Sequence, residues 1–363
     1  MNILGIDLEA ASQCDLKVEG ALRYSLHPST IVRCAVIGWV DAERFHSVSW
    51  ERGDNVPQVW RAAVESGATA LAFNYNFERH MLDNVLSKQG WPVPQEWIDP
   101  QPHAAAANLP TSLLGLALAL GCPAQKDQAG SDLAKKMSFL EDDGSNEYDT
   151  PENRAILSAY CRQDVKTVFD CWQRVPKMIP SELALWQLDQ KINARGVFID
   201  LVMVNRMMAL AEKRKRQLLV EAVEHSDFDL ISPTSAGDVK AFLKSRNVEL
   251  PKVARTRVTG EKHESETVGR AAASEIAKNE STDPSVRAVL ENRMEVGKLA
   301  SLAKLRKVEH LVDPRDGRLR NSFQFCAAHT GRWSSRGLQV HNFPRDKRKP
   351  EEVARVRKII EGA

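Results

Sequence analysis

No apolar run in this 363-residue chain approaches the roughly 20 residues that a membrane-spanning helix needs. The opening Met1-Asn2-Ile3-Leu4-Gly5 lacks a basic stretch and is soon followed by an acid, Asp7, so no secretory leader is expected and a cytoplasmic setting is. The six cysteines, at 14, 34, 122, 161, 171 and 326, form no C-x-x-C pair, and the nine histidines show no ligand spacing. That pattern argues against zinc and against a disulfide framework, and leaves reduced thiols. No internal repeat is present.

What is there is the composition of an ordinary soluble globular protein, 43% hydrophobic and 27% charged, long enough for two or three domains. The net charge of +2 hides an asymmetry. Residues 1–175 hold 15 Lys/Arg against 23 Asp/Glu, and residues 176–363 hold 35 against 25. A basic half fits a polyanionic partner or a solvated basic surface, and charge alone does not choose between them.

Apolar runs at Asn2–Leu8, Val32–Val40 and Ala68–Phe73, with the alternating Arg44–Trp50, predict strands. Helical patterns follow at about 55–66, 77–89, 111–120, 130–139 and 151–173, the last with Thr150 as cap and Pro151 at its start. Strands first and helices later predict a mixed sheet covered by helices. Pro176–Pro180 punctuates the chain and sets a boundary there. Long helical stretches are predicted over 181–225, interrupted near Arg195-Gly196-Val197, and over 283–310; the polar 251–270 between them reads as a mobile loop. An extended run is expected over Leu319–Ala327.

Three short patterns carry the candidate chemistry. Asp7 and Glu9, at i and i+2 of a strand, project from one face. Two carboxylates that close repel unless a divalent cation joins them, and oxygen ligands suit Mg²⁺ or Mn²⁺. Glu78, in Asn74-Tyr75-Asn76-Phe77-Glu78, sits at a helix start, where an acid also suits the helix dipole. Tyr160 and Asp164 share a helix face at i and i+4, which a buried tyrosine beside a surface acid would also explain. Each alone is weak; a strand D-x-E, an N-x-x-F-[D/E] after a strand and a helical Y-x-x-x-D in this order are specific.

Together they resemble the DEDDy 3′–5′ exonucleases, the proofreading domains fused to family A DNA polymerases. The resemblance implies an α/β, ribonuclease H-like mixed sheet flanked by helices. It implies two divalent cations, Mg²⁺ or Mn²⁺, one held by Asp7, Glu9 and Asp164 and the other reached by Asp7 and held by Glu78 through water. Tyr160 would orient the attacking water, and Asn74 and Phe77 would touch the substrate strand. Such a two-metal hydrolysis needs no covalent intermediate, so the lack of a Ser/His or Cys/His pair is no objection. The family usually has Asp where this chain has Glu78, and many relatives have His where it has Phe73. Glu is familiar at that position in phage-type polymerases.

Residues 183–200 resemble the passage from exonuclease to thumb in those polymerases, and Val286–Leu305 resembles the thumb helix along the minor groove. Arg287, Arg293, Lys298 and Lys304 would lie on that DNA-facing helix, although a solvated basic face would explain many of the charges. Residues 323–345, with T-G-R-W-S-S and Q-V-H-N-F-P-R, look like the signature at the start of the palm; Arg332, Gln339, Asn342 and Arg345 would contact duplex, and Trp333 reads as core. The expected organisation is an exonuclease domain over 1–175, a mostly helical thumb-like region over 176–312, and the start of a palm over 313–363. No D-Y-S-x-[IL]-E motif appears. The chain is therefore expected to be either a truncated product or a subunit of a split polymerase, completed by a separate palm and fingers chain, and not to synthesise DNA alone. Its partners would be a single-stranded DNA 3′ end and primer–template duplex, with no membrane, in a bacterial or phage-infected cell. A silent DNA-binding module that completes a partner polymerase is the alternative, and a ribonuclease D-like enzyme is disfavoured by the palm-like motif.

Overall fold

Along β1 (Ile3–Ala11), Leu4, Ile6, Leu8 and Ala10 alternate with Ile3, Gly5, Asp7 and Glu9. The strand therefore offers one uniformly apolar face, and a second that carries carboxylates. A computed structural model describes residues 2–123, 128–256, 262–339 and 349–362. It divides into two compact units, one of residues 1–199 and 310–344, the other of 200–309 and 345–363.

In the first unit a five-stranded mixed sheet is ordered β3-β2-β1-β4-β5. After β1 come α1 (Leu16–Leu26), β2 (Ile31–Asp41), β3 (Arg44–Glu51), α2 (Gln58–Glu65), β4 (Thr69–Leu71), α3 (Asn76–Met81) and β5 (Trp97–Ile98). β2 is antiparallel to β1 and β3; β4 is parallel to β1 and β5. The predicted strands are thus present, and the short β5 is an element that the apolar patterning did not reveal. The protein has an α/β fold.

The apolar face of β1 packs with Val32, Ala35, Ile37 and Trp50 against Tyr24 of α1, Trp60 of α2, and Met81, Leu82 and Leu86 in and after α3. On the other face lie α4 (Pro100–Ala106), α5 (Leu113–Ala119), α6 (Gln128–Met137) and α7 (Pro151–Arg174), with Leu157, Cys161, Val165 and Phe169 of α7 against Cys34, Val36 and Leu71. Thr150 caps α7 by accepting from the Asn153 N–H, as its sequence predicts.

Two glycines bring α7 down onto the sheet. Gly5 and Gly38 are cross-strand partners. A Cβ at Gly5 would fall 2.6 Å from the Phe169 ring and 2.8 Å from Val165, and one at Gly38 would fall 2.7 Å from Val165. No larger residue leaves room for the helix at this distance.

α8 (Pro180–Arg195) and β6 (Val197–Phe198) also belong to the first unit, in which β6 pairs with β9 (Arg318–Leu319) and β10 (Phe323–Gln324) with β11 (Ser334–Ser335). Asn193 of α8 bonds to both the N–H and the C=O of Phe323, at 2.9 and 3.0 Å. Compactness therefore cuts the chain differently from the functional boundaries expected at 175 and 312, because these bonds tie α8 to residues far along the chain. Trp333 is not core: it is 45% exposed, edge-on to Phe325, with its indole N–H donated to the buried Asp189. The polar ring nitrogen needs a partner, and Asp189 of α8 supplies one.

The second unit holds α9 (Leu201–His225), α10 (Ala236–Ser245), β7 (Lys252–Thr256), β8 (Lys262–Glu266), α11 (Arg270–Lys278), α12 (Pro284–Ala300), all but the last residue of a 3₁₀ stretch (Ser301–His310) and α13 (Pro350–Glu361). Its core gathers Leu230, Val239, Phe242, Leu243, Val286, Val289 and Leu290. The stretch read as a mobile loop contains instead the antiparallel β7–β8 pair, fixed outside the strands by the Thr267 N–H on the Pro251 carbonyl and by Lys244 on Glu266. Its polarity misled because a two-stranded ribbon is held by backbone bonds that any side chain permits. Among the described residues no helix is long and apolar enough to cross a membrane.

Candidate metal centre

Asp7 and Glu9 rise from the helix-covered face of β1 beneath α7, as their i, i+2 spacing requires. Their carboxylate oxygens and the Cys161 Sγ all lie within 4.8 Å of one another. Asp164, one turn after Cys161, is an electrostatic neighbour of both acids and of the Tyr160 hydroxyl. Glu78 reaches the cluster from α3; it is only 5% exposed and neighbours both Asp7 and Glu9. The five residues singled out in the sequence thus converge from one strand and two helices. The glycine pair under α7 is what allows it.

The electrostatics are those of carboxylates buried against one another. Burial, then Asp164 and Glu9, hold the Asp7 carboxyl well above its usual range. Burial, then Cys34 and Asp164, push Glu9 up to about 8. Burial, then Asp7, raise Glu78 well above the carboxylate norm. Burial and the Asp164 carboxylate likewise raise the Tyr160 phenol, so it stays a hydroxyl donor. One oxygen of Asp7 and one of Glu78 are buried with no hydrogen-bond partner. Buried oxygens left unpaired are costly unless a ligand takes them up. A hard donor set with orphaned oxygens fits Mg²⁺ or Mn²⁺. Cys161 fits less well as a ligand, because its bond to Cys34 and its burial hold the thiol protonated.

Beside the acids, Asn74 adopts a left-handed φ of 60°, and its N–H and that of Tyr75 donate to the buried Asp99. Burial raises Asp99 to about 7 in spite of these bonds. Asn74 and Phe77 both line a cavity of about 390 Å³ in the first unit. Asp99 was missed in the sequence, although Asp99-Pro100 before a helix is a capping signal that could have drawn attention to it.

The residues expected to face DNA have mixed settings. Arg332 and Gln339 are exposed in the first unit, and Lys298 is exposed on α12. Arg287 donates to the carbonyls of Asn279 and Glu280, and Arg293 to that of Pro233, so both guanidinium groups are engaged within their own unit. Lys304 lies in the 3₁₀ stretch. Asn342 and Arg345 fall outside the described residues.

No protein-family model matches the chain. It is similar to a DNA polymerase of Bacillus phage SP02, with 31% identity over 375 residues that take in 100% of this chain and 54% of that protein. The chain thus spans about half the length of the curated relative it matches. Among solved structures it is similar to the POL domain of Pol1 from M. smegmatis, in complex with DNA primer-template and dNTP. The TM-score is 0.54 at 15% identity, covering 93% of this chain and 56% of that one, a likeness of fold. By sequence, then, the chain is a relative of DNA polymerases along its whole length, in keeping with its resemblance to the N-terminal part of the family A enzymes.

Proposed function

We propose that this chain is a metal-dependent 3′–5′ exonuclease of proofreading type, acting on DNA 3′ ends. The observation that carries the reading is the meeting of Asp7, Glu9, Glu78 and Asp164, with two buried oxygens lacking partners, beside a tyrosine hydroxyl. Asp7, Glu9 and Asp164 would hold one divalent cation, and Asp7 with Glu78 a second. Bound there, such a pair supplies a hydroxide from water at neutral pH and offsets negative charge on the departing 3′ oxygen. Tyr160, fixed by Asp164, orients the attacking water, and Asn74 and Phe77 hold the terminal nucleotide beside the acids.

The sheet of the first unit is read as ribonuclease H-like. Residues 1–175 form the exonuclease, 176–312 a thumb-like region and 313–363 the start of a palm, with primer–template DNA as partner. Lys298, Arg332 and Gln339 contribute exposed groups towards that DNA. The 5′-labelled oligonucleotide assay is decisive: single-stranded DNA should shorten from its 3′ end in Mg²⁺ or Mn²⁺, releasing 5′-monophosphates, and stop in EDTA. Degradation that persists in EDTA, or that starts at the 5′ end, would overturn the reading.

A further inference from the structure

Arg33 is one of the few charged residues with its side chain almost fully enclosed, at 6% exposure. It stands at an irregularity of β2, because Glu9 pairs with Cys34 and Ala10 with Val32, which leaves Arg33 with no residue opposite. Bulged residues of this kind are aimed away from the ladder. The Arg33 Nε donates to the Met137 carbonyl at 3.0 Å and one Nη to Asp149. The other Nη is buried and has no acceptor.

Arg33 lines a hollow of about 600 Å³, together with Arg52, Arg154, Asp149, Glu51 and Gln89. Asp149 is shared, since Arg154 also donates to it at 2.6 Å. Arg52 is exposed and makes no ion pair among the described residues, and its backbone N–H on the Arg33 carbonyl holds the two arginines together. Three guanidinium groups against two carboxylates leave the hollow one positive charge. The 24-residue α7 begins at Pro151, two residues after Asp149 and three before Arg154, so the positive end of its dipole falls between these two lining residues in the chain.

We propose that this hollow is a phosphate-binding site, separate from the carboxylate cluster, in which Arg33 and Arg52 grip the anion and Arg154 screens it. Planar forks of donors suit phosphate oxygens, and an enclosed guanidinium with a free donor is worth more than an exposed one. Arg154 precedes Asp164 by ten residues on α7, so the hollow lies about 15 Å along the helix axis from the acids. The bound group is a free phosphate or a phosphodiester of a strand whose end lies elsewhere. The site does not depend on the exonuclease reading.

The test uses the whole chain in EDTA, so that no cation at the carboxylates takes part. Inorganic phosphate should raise the melting temperature saturably above an equal ionic strength of chloride. In Arg52→Gln, an exposed change that leaves the fold alone, the apparent phosphate affinity should fall about tenfold or more, the size of one lost charge-assisted contact. Arg33→Lys should lose the same response by keeping the charge and removing the fork. A single-stranded oligodeoxynucleotide that competes with phosphate identifies the strand as the source; binding of both without competition identifies the free anion. No saturable rise in wild type, or an equal rise in Arg52→Gln, would overturn the site.

Discussion

At the scale of single residues, the acids of the centre work against the fold that holds them. Asp7 titrates above its ordinary range because burial and two acidic neighbours penalise its charge. The folded state therefore keeps a proton that the unfolded chain gives up, and stability falls as pH rises through that interval. Asp7→Asn should then melt higher than wild type in EDTA at neutral pH while nuclease activity disappears. Added Mg²⁺ should raise the melting temperature of wild type but not of the variant; calorimetry with and without the cation checks both. Glu78 separates its two roles differently. Glu78→Asp keeps a carboxylate and should keep measurable activity, whereas Glu78→Ala should lose most of it. A fully active alanine variant would leave Glu78 as a helix-terminus residue only. Tyr160→Phe should slow the reaction without abolishing it, since the ring remains and one hydrogen bond goes.

His103 gives the opposite pH sign. Burial, then Lys177, lower its pKa from 6.5 to about 4, and its Nδ1 accepts the Met178 N–H at 2.9 Å. The stability it contributes is present above pH 6.5 and lost as pH falls towards 4, because the unfolded chain binds the proton first. His103→Gln keeps an acceptor without titrating. Its unfolding free energy should vary less between pH 6.5 and 4 than that of wild type, as read from urea titrations at several pH values.

At the scale of elements, α7 decides whether there is a centre at all. It carries Tyr160, Cys161 and Asp164, and its approach to the sheet depends on Gly5 and Gly38. Gly5→Ala should lift the helix, destabilise the first unit by about 1–3 kcal/mol and reduce activity together. Val165→Ala makes room at the same spot, so the double variant should be less destabilised than the two single changes added. Additive losses would show that the helix does not bear on that glycine. The helix itself was legible, with Thr150 and Pro151 marking its start and its apolar positions spaced for one face. The β7–β8 pair was not legible, since neither strand carries an apolar alternation. α1 was missed as well, a helix in which Gly20, at a φ of 76°, breaks the regular backbone.

At the scale of the whole molecule, the proposed function predicts DNA binding, with which the charge asymmetry is in keeping. Residues 176–363 hold 35 basic against 25 acidic side chains, and the whole chain is similar to about half of a phage DNA polymerase. Binding of the chain to primer–template DNA should weaken steeply with salt, the slope of log affinity growing by about 0.9 for each phosphate neutralised. Arg332→Ala and Lys298→Ala should each make that slope shallower. Arg287→Ala should leave it nearly unchanged and lower stability instead, because its guanidinium is engaged by two backbone carbonyls. Fluorescence anisotropy across a salt series distinguishes the two classes.

The sequence by itself determined the strand that carries Asp7 and Glu9, the helix that carries Tyr160 and Asp164, and the likeness to DNA polymerases. Those features live in local periodicity, capping and short motifs, which are written residue by residue. Tertiary structure alone decided that Glu78 turns inward from its helix start and that Cys161 lies beside Asp7. It also decided that Asp99 holds Asn74 in a left-handed turn, that Trp333 lies at the surface on Asp189, and that Arg33 is enclosed. Each of these depends on which distant segments meet, and a side chain's burial and partners are set by that meeting and not by its neighbours in the chain.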